Sequence, residues 1–570
     1  MINHLLGALG AVAALFVLSR VRARLQLSRA KHPSLRGHSR MASRVAKLVP
    51  YYAYEDAATF RSDDAPEAVA SQRRSAFMEL AASFRERFAR SAAATNTLEP
   101  GVSDLQFTSA YRVPFQYSAF VRRHLCAGSI MQASNAVTLT DLDGNVFYDL
   151  TGSYGVNVLG NDVYKACIAG AQKRVEALGP VLGMYHPVML ENVAALKRIS
   201  GHAEVSFHMS GTEAVMQAVQ LARYHTGRSH VVRFCGAYHG WWGDVQPGPG
   251  NPQPARDTYT LKDMDDDTLT VLRTRRDIAC VLVNPLQGLH PNQGAPGDSS
   301  LIASDRSAHF DRPAYTTWLK TLREVCSERG IALIFDEVFV GFRLALGGAQ
   351  EYFGVRADLV TYGKTLGGGL PIGALAGDKR WMKRFRDDRP ADICFARGTF
   401  NSHPYVMGAM REFLERIESD EGRAIYQGLD ETWNRRAARL NARLESAGLP
   451  VRVANLSSVW TITYARPSRY NWMLQYYLRA EGLALSWVGS GRLIFSLNYT
   501  EADFSAVCDR FVAAAQAMER AGFWWQSPAL TNNAIKRRVL WELLRHALRR
   551  APSDRSIPRA TPEAAHGGTA

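Results

Sequence analysis

The stretch "ADLVTYGKTLGGGLPIGALAG", residues 357–377, ends an apolar run at Lys364 and follows it with three consecutive glycines and a Leu-Pro turn. An ammonium is costly to bury, and glycines offer no side chains to screen it, so this amine is expected to be bonded to something that needs close access to backbone. Four other apolar runs end in residues able to do chemistry. "EVSFHM" runs into Ser210, Gly211 and Thr212; "HVVRF" into Tyr238 and His239; "IACVLV" into Asn284 and Gln287; "IALIF" into Asp336. Each has a role if the ligand is a phosphorylated aromatic aldehyde. A Ser-Gly-Thr turn opening a helix offers free N–H donors and a hydroxyl to a phosphate. Tyr238 can stack on a ring, Asp336 can pair with a protonated ring nitrogen, and Lys364 can form an imine. Singly, each has a plainer reading: a helix N-cap, a core tyrosine, a structural acid.

The surrounding elements must bring these five ends together. From about 160 to 410, short β-branched runs alternate with amphipathic stretches such as "SGTEAVMQAVQLAR", with Val215, Ala218, Val219 and Ala222 on one face. That alternation predicts an α/β fold with a mostly parallel sheet covered on both sides, whose ligands bind beyond the carboxyl ends of the strands. "VTLTDLDGNVFYDLTG" predicts a hairpin turning at Asp143-Gly144. The chain divides into an anchor or interfacial helix with a basic flank (1–30), a helical extension (31–130), a large ligand-binding domain (131–420), a smaller α+β domain (421–520), and a basic amphipathic helix with a tail expected to be disordered (521–570), most of which lies outside the residues described below.

The net charge of +15 sits mostly at the ends. Residues 1–50 hold nine Lys/Arg and no acid, and residues 531–570 hold eight basic against three acidic residues. A nucleic-acid groove would spread basic residues over the folded body, so no nucleic-acid partner is expected. The apolar run Leu5–Leu18, followed by Arg20, Arg22 and Arg24, predicts a membrane anchor with the body on the cytoplasmic side. The alternative is an ordinary N-terminal helix packed on the body. "NAIKRRVLWELLRHALRR" reads equally as a membrane-surface helix or one docked on its own domain. Seven dispersed cysteines without a CxxC pair fit reduced thiols, and no His/Cys cluster has metal-ligand spacing.

These motifs resemble the class III (subgroup II) pyridoxal-phosphate aminotransferases of fold type I. The similarity is nearest to the glutamate-1-semialdehyde aminomutase branch and to aminotransferase domains of polyketide synthases. It covers roughly residues 130–520, with "SGTEAVMQA", "AYHGW", "FDEVFVGFR", "GGAQEYFGVRADLVTYGKTLGGGLPIG" and "GTFNSHP" in family order. The resemblance implies pyridoxal 5'-phosphate as cofactor, Lys364 as the imine lysine and proton carrier, and Asp336 as partner of the ring nitrogen. It places Val338 under the ring and Tyr238 stacked on it; His239 among the cofactor-binding residues; Ser210, Gly211 and Thr212 on the phosphate; and Gln287 near the ring hydroxyl. Thr399 matches a threonine that reaches the neighbouring subunit's phosphate, which implies a homodimer. The implied activity is transfer of an amino group between an amine donor and an aldehyde, ketone or carrier-bound acyl acceptor, possible lipophilic substrates included. A 1,2-aminomutase is the alternative, and a non-catalytic tethered scaffold a remote one. Met209 and Asn284 depart from the family's usual Asn and Glu, and the segment after Gly240 is shorter than the aminomutase gating loop.

Overall fold

The computed structural model describes residues 2–549 apart from 127, 129, 247, 252, 254, 255, 294–305 and 487–490. Its centre is a seven-stranded sheet. In chain order the strands are β1 (Glu204–His208), β2 (His230–Phe234), β3 (Thr258–Leu261), β4 (Ile278–Val283), β5 (Ala332–Asp336), β6 (Leu359–Gly363) and β7 (Gly373–Gly377). The spatial order is β1-β7-β6-β5-β4-β2-β3, with β7 antiparallel to both neighbours and every other pair parallel.

The continuous apolar runs follow from this topology, because a parallel strand is covered on both faces. Every residue of β4 and of β5 is buried. Their side chains alternate between two cores: Val281, Val283, Leu333 and Phe335 lie on one face, and Cys280, Leu282, Ala332 and Ile334 on the other. The second face is closed by helix Gly211–Thr226 through Val215, Ala218, Val219 and Ala222, the stripe its periodicity predicts. Strand β7 is Gly-Ala-Leu-Ala-Gly for a steric reason: a Cβ at Gly373 would stand 1.9 Å from the Ser210 carbonyl oxygen.

A second core joins both ends of the chain to the small α+β lobe. Phe60, Phe77, Phe84, Tyr117 and Phe120 from the N-terminal helices pack with Trp433, Trp460, Phe504 and Trp524. The hairpin forms as expected, Thr138–Asp141 against Val146–Asp149, with Gly144 at φ +88° in its turn.

The membrane reading is corrected. Among the described residues no helix is long and apolar enough to cross a membrane. The 14-residue run Leu5–Leu18 rises only about 21 Å as a helix, short of the ~30 Å hydrocarbon thickness. The same helix, Ile2–Arg29, continues straight through Arg20, Arg22 and Arg24. It ends on the large sheet domain, where Ala30 is fully buried and its carbonyl accepts from Lys262 N at 2.8 Å. The expected membrane-surface role of the C-terminal helix Asn532–Arg549 is likewise replaced by docking on the chain itself. Glu542 accepts from Tyr52, Tyr54 and Arg469, and the Tyr52 and His546 rings stack at 4.4 Å. The membrane partner and the membrane-face location inferred from these segments have no support in the fold.

Candidate active site

Five strands place their chemistry along one edge of the sheet, since β1, β2, β4, β5 and β6 run parallel and all end there. Asp336 closes β5 and is 4% exposed. Its Oδ2 lies 2.9 Å from His239 Nδ1, and its Oδ1 accepts from Val338 N at 3.2 Å and from the Thr361 hydroxyl at 3.3 Å. Thr361 is opposite Asp336 in the β5–β6 register, which is why the hydroxyl arrives there. His239 is buried, and its Nε2 has no hydrogen-bond partner among the described residues. A buried imidazole with one nitrogen on a carboxylate and the other unpartnered marks a place where a further polar group belongs.

Lys364 follows β6 directly and sits at φ +48°, a left-handed conformation uncommon outside glycine. Its Nζ stands 5.6 Å from the Phe339 ring centroid. Burial pushes the amine below its ordinary pKa; Asp336 pulls it back up, and Arg492 and Arg343 lower it further. An amine so placed is more readily neutral, as a nucleophile or base must be. The glycines after it do allow a close backbone approach, but to a helix: a Cβ at Gly368 would stand 2.2 Å from the Ala409 carbonyl oxygen in helix Pro404–Glu418.

The turn after β1 forms a cradle. A Cβ at Gly211 would meet Val338 Cγ1 at 2.5 Å, and one at Gly240 would meet the Thr212 hydroxyl at 2.6 Å. Val338 and Thr212 therefore lie beside these two glycines, just beyond the ends of two different strands. Ser210 is the helix N-cap, its hydroxyl accepting from Glu213 N at 3.2 Å, which leaves the first-turn amides to a ligand. Met209, in place of the family's Asn, contributes through its backbone, donating to Glu213 at 2.9 Å. Tyr238 is 55% exposed, and its carbonyl oxygen is held by Asn284 Nδ2 at 3.0 Å. The Asn284 departure thus has a structural use as a loop tie.

Two further expected site residues have other surroundings. Gln287 is buried, and its amide nitrogen donates to the carbonyls of Cys235, His290 and Gln293. It ties loops together. Thr399 is exposed, in the segment between β7 and helix Pro404–Glu418. Sequence reading missed Thr361, Phe339, Arg343 and Arg492. Thr361 had a signal, lying on β6 three residues before the lysine, and Phe339 and Arg343 lie within "FDEVFVGFR"; Arg492 belongs to no quoted motif.

The family model "Aminotransferase class-III" matches residues 121–243 and 310–515. The chain is 31% identical over 421 residues to a glutamate-1-semialdehyde 2,1-aminomutase of Geotalea daltonii, covering 69% of this chain and 91% of that protein. The chain belongs to the class-III aminotransferase family. Among solved structures, one titled "Transaminase with PLP bound" superposes with a TM-score of 0.57 at 26% identity, covering 69% of this chain and 92% of that one. An omega-transaminase from Sphaerobacter thermophilus gives 0.58 at 25%, covering 72% and 99%. The chain is therefore a fold type I enzyme that uses pyridoxal phosphate and moves amino groups through a lysine. The cleft fits that cofactor: buried Asp336, the amine of Lys364, the glycine-lined cradle at Gly211 and Gly240, and the unpartnered His239 nitrogen all lie at one sheet edge.

Proposed function

We propose that this class-III enzyme is a 1,2-aminomutase, exchanging an amine with a neighbouring carbonyl on one carbon skeleton. The similarity across 91% of a glutamate-1-semialdehyde aminomutase carries this reading. In it Lys364 would be the lysine that holds the cofactor, and its amine would hold and move the proton at the substrate carbon. Pyridoxal phosphate, when bound, supplies the conjugated ring that takes up electron density from the substrate carbon. Asp336, fixed by His239, Thr361 and the Val338 amide, keeps the ring nitrogen protonated. Val338 and Tyr238 would hold the ring, and the amides of Gly211 and Thr212, with the Thr212 hydroxyl, would hold the phosphate. Exposed Thr399 completes that phosphate site from a second copy of the chain.

A two-substrate transaminase is the second reading, favoured by the similarity to solved transaminases at 25–26% identity. One experiment separates the two. Holoenzyme is given an α-amino aldehyde with no second amine. The aminomutase reading expects catalytic conversion to the isomeric amino ketone. The transaminase reading expects no more than one equivalent of deaminated product per cofactor, with turnover restored only by an added donor. The shared phosphate site is tested by mixing Lys364→Ala with Thr399→Ala subunits: mixed dimers contain one unmutated site, so partial recovery of activity is expected, and none after confirmed exchange removes Thr399 from the site.

A further inference from the structure

Tyr164, outside the motifs that carry the family resemblance, lies along the inside of the lysine turn. It stands in the first turn of helix Asn161–Val175 and is buried. A Cβ at Gly369 would meet the Tyr164 Cβ at 3.3 Å, and the Tyr164 hydroxyl reaches the other end of the same turn, 2.6 Å from Thr365 Oγ1. Thr365 directly follows Lys364 and is 2% exposed. The phenol oxygen also accepts from Val158 N at 2.9 Å. Its ring stacks on Phe413 of helix Pro404–Glu418, with centroids 6.4 Å apart, which fixes the plane of the phenol.

The hydroxyl thus ties together two segments held in left-handed backbone. Lys364 is at φ +48°, and the turn Gly152–Gly155, just before Val158, runs at φ +50°, +45°, +56° and +98°. Residues other than glycine keep such angles only where their surroundings over-determine them. Val158 is held from its other side by Leu497 N, which donates to its carbonyl at 2.7 Å. The turn before it presses on the lysine stem, since a Cβ at Gly155 would stand 3.2 Å from Lys364 Cδ and 2.7 Å from the Phe339 ring. One turn therefore sets where the lysine chain leaves the backbone, and the other sets which way its stem runs. A phenol joining the two fixes both at once.

We propose that Tyr164 is a positioning residue for amino transfer: its hydroxyl, through Thr365, holds the lysine turn against the turn Gly152–Gly155 and so aims the Lys364 amine at the cofactor. The inference rests on Lys364 as the lysine that holds the cofactor, and deepens that reading. A misplacement of about 1 Å at a reacting atom can cost roughly 100-fold in rate, so a hydroxyl that touches only the turn can still govern the amine.

The test mixes the full-length chain, freed of cofactor, with pyridoxal 5'-phosphate and follows the cofactor absorbance against concentration. In the step that is read, a C=N bond forms between Lys364 Nζ and the aldehyde carbon, the C=O bond breaks, and its oxygen leaves as water with the two protons of the neutral amine. Tyr164→Phe should slow the limiting rate of this step roughly 10-fold or more, with the half-saturating concentration nearly unchanged because the phosphate cradle is intact. Thr365→Val should match it, and Thr365→Ser should restore most of the rate. The double variant should be no slower than the slower single one, since the two hydroxyls act as a unit.

Tyr470 supplies the structural control. It is a phenol of the second core, buried like Tyr164, and its hydroxyl accepts from Ser62 N at 3.1 Å and donates to Thr59 O at 2.9 Å. Tyr470→Phe should lower Tm and leave cofactor capture at the parent rate. Where Tyr164→Phe does not fold, the contrast between Thr365→Val and Thr365→Ser decides, because both leave the Val158 amide bonded. The proposal is overturned by a Tyr164→Phe rate equal to that of Tyr470→Phe, by losses that multiply in the double variant, or by Thr365→Ser as slow as Thr365→Val. Each of those leaves the parent's covalent bond at Lys364 in place, whereas a parent chain that forms no such bond sinks the reading underneath.

Discussion

Asp336 and Glu542 are both carboxylates inside polar clusters, one at the sheet edge and one on the C-terminal helix, and their surroundings differ in a way that separates function from structure. Glu542 is saturated. It accepts from the Tyr52 and Tyr54 hydroxyls at 2.8 and 2.6 Å, from both Arg469 terminal nitrogens at 2.8 and 3.0 Å, and from Arg538 at 3.3 Å. Asp336 has three partners at 2.9–3.3 Å, one of them a histidine whose far nitrogen is unpartnered. A saturated carboxylate joins segments, here the N-terminal residues 52–54, the small lobe at Arg469 and the last helix. An under-committed carboxylate beside an unpartnered nitrogen is arranged for a group that arrives from outside.

The comparison breaks most visibly at the sheet edge. Lys364→Ala should lower turnover by roughly four orders of magnitude or more, because one amine serves as cofactor partner and proton carrier. Borohydride treatment followed by peptide mass analysis should find the reduced adduct on Lys364 in the parent protein and none in the variant. An active variant would place the chemistry on another lysine. Asp336→Asn keeps the shape and removes the charge, so a loss of roughly 100-fold or more in kcat is expected with a nearly unchanged Tm. A fall in Tm with little change in kcat would make Asp336 a structural acid like Glu542 and erase the distinction.

The sheet edge was legible in sequence because its chemistry is carried by residue types that are out of place unless they meet: a lysine, an acid and a Ser-Gly-Thr turn, each ending an apolar run. Alternation of strand and helix then put those ends on one side. What stayed hidden depends on pairings between distant segments. Nothing in the sequence puts His290 beside Arg492 or Thr361 on Asp336, since a register and a loop tie decide them. The N-terminal helix was misread, and the C-terminal helix left between two readings, for a related reason. An amphipathic or apolar helix announces a face and says nothing of what covers it. The one signal in the last helix was Glu542, the single acid among its arginines. An acid kept in so basic a helix points to a partner elsewhere in the chain, and that partner is Arg469, with its side chain 1% exposed.

The smallest effect sharpens the other half of the comparison. Burial alone would raise the Glu542 pKa, but the ion pair with Arg469 and the bonds from Tyr54 and Tyr52 outweigh it and hold the group at about 2. An unfolded glutamate titrates near 4.3, so the folded form prefers the ionised carboxylate, and the docking of the last helix is strongest above that value. The contribution, on the order of 2 kcal/mol at pH 7, should fade as the pH falls from about 5 towards 2. Glu542→Gln cannot ionise there. Its Tm should therefore lie below that of the parent at pH 7, and the gap should close through that acid window. Turnover at 25 °C and neutral pH should be unchanged, because Glu542 lies in a cleft with Tyr52, Tyr54 and Arg469 and not at the sheet edge. A gap in Tm that is the same at pH 7 and pH 3 would mean that shape, and not charge, holds the helix down.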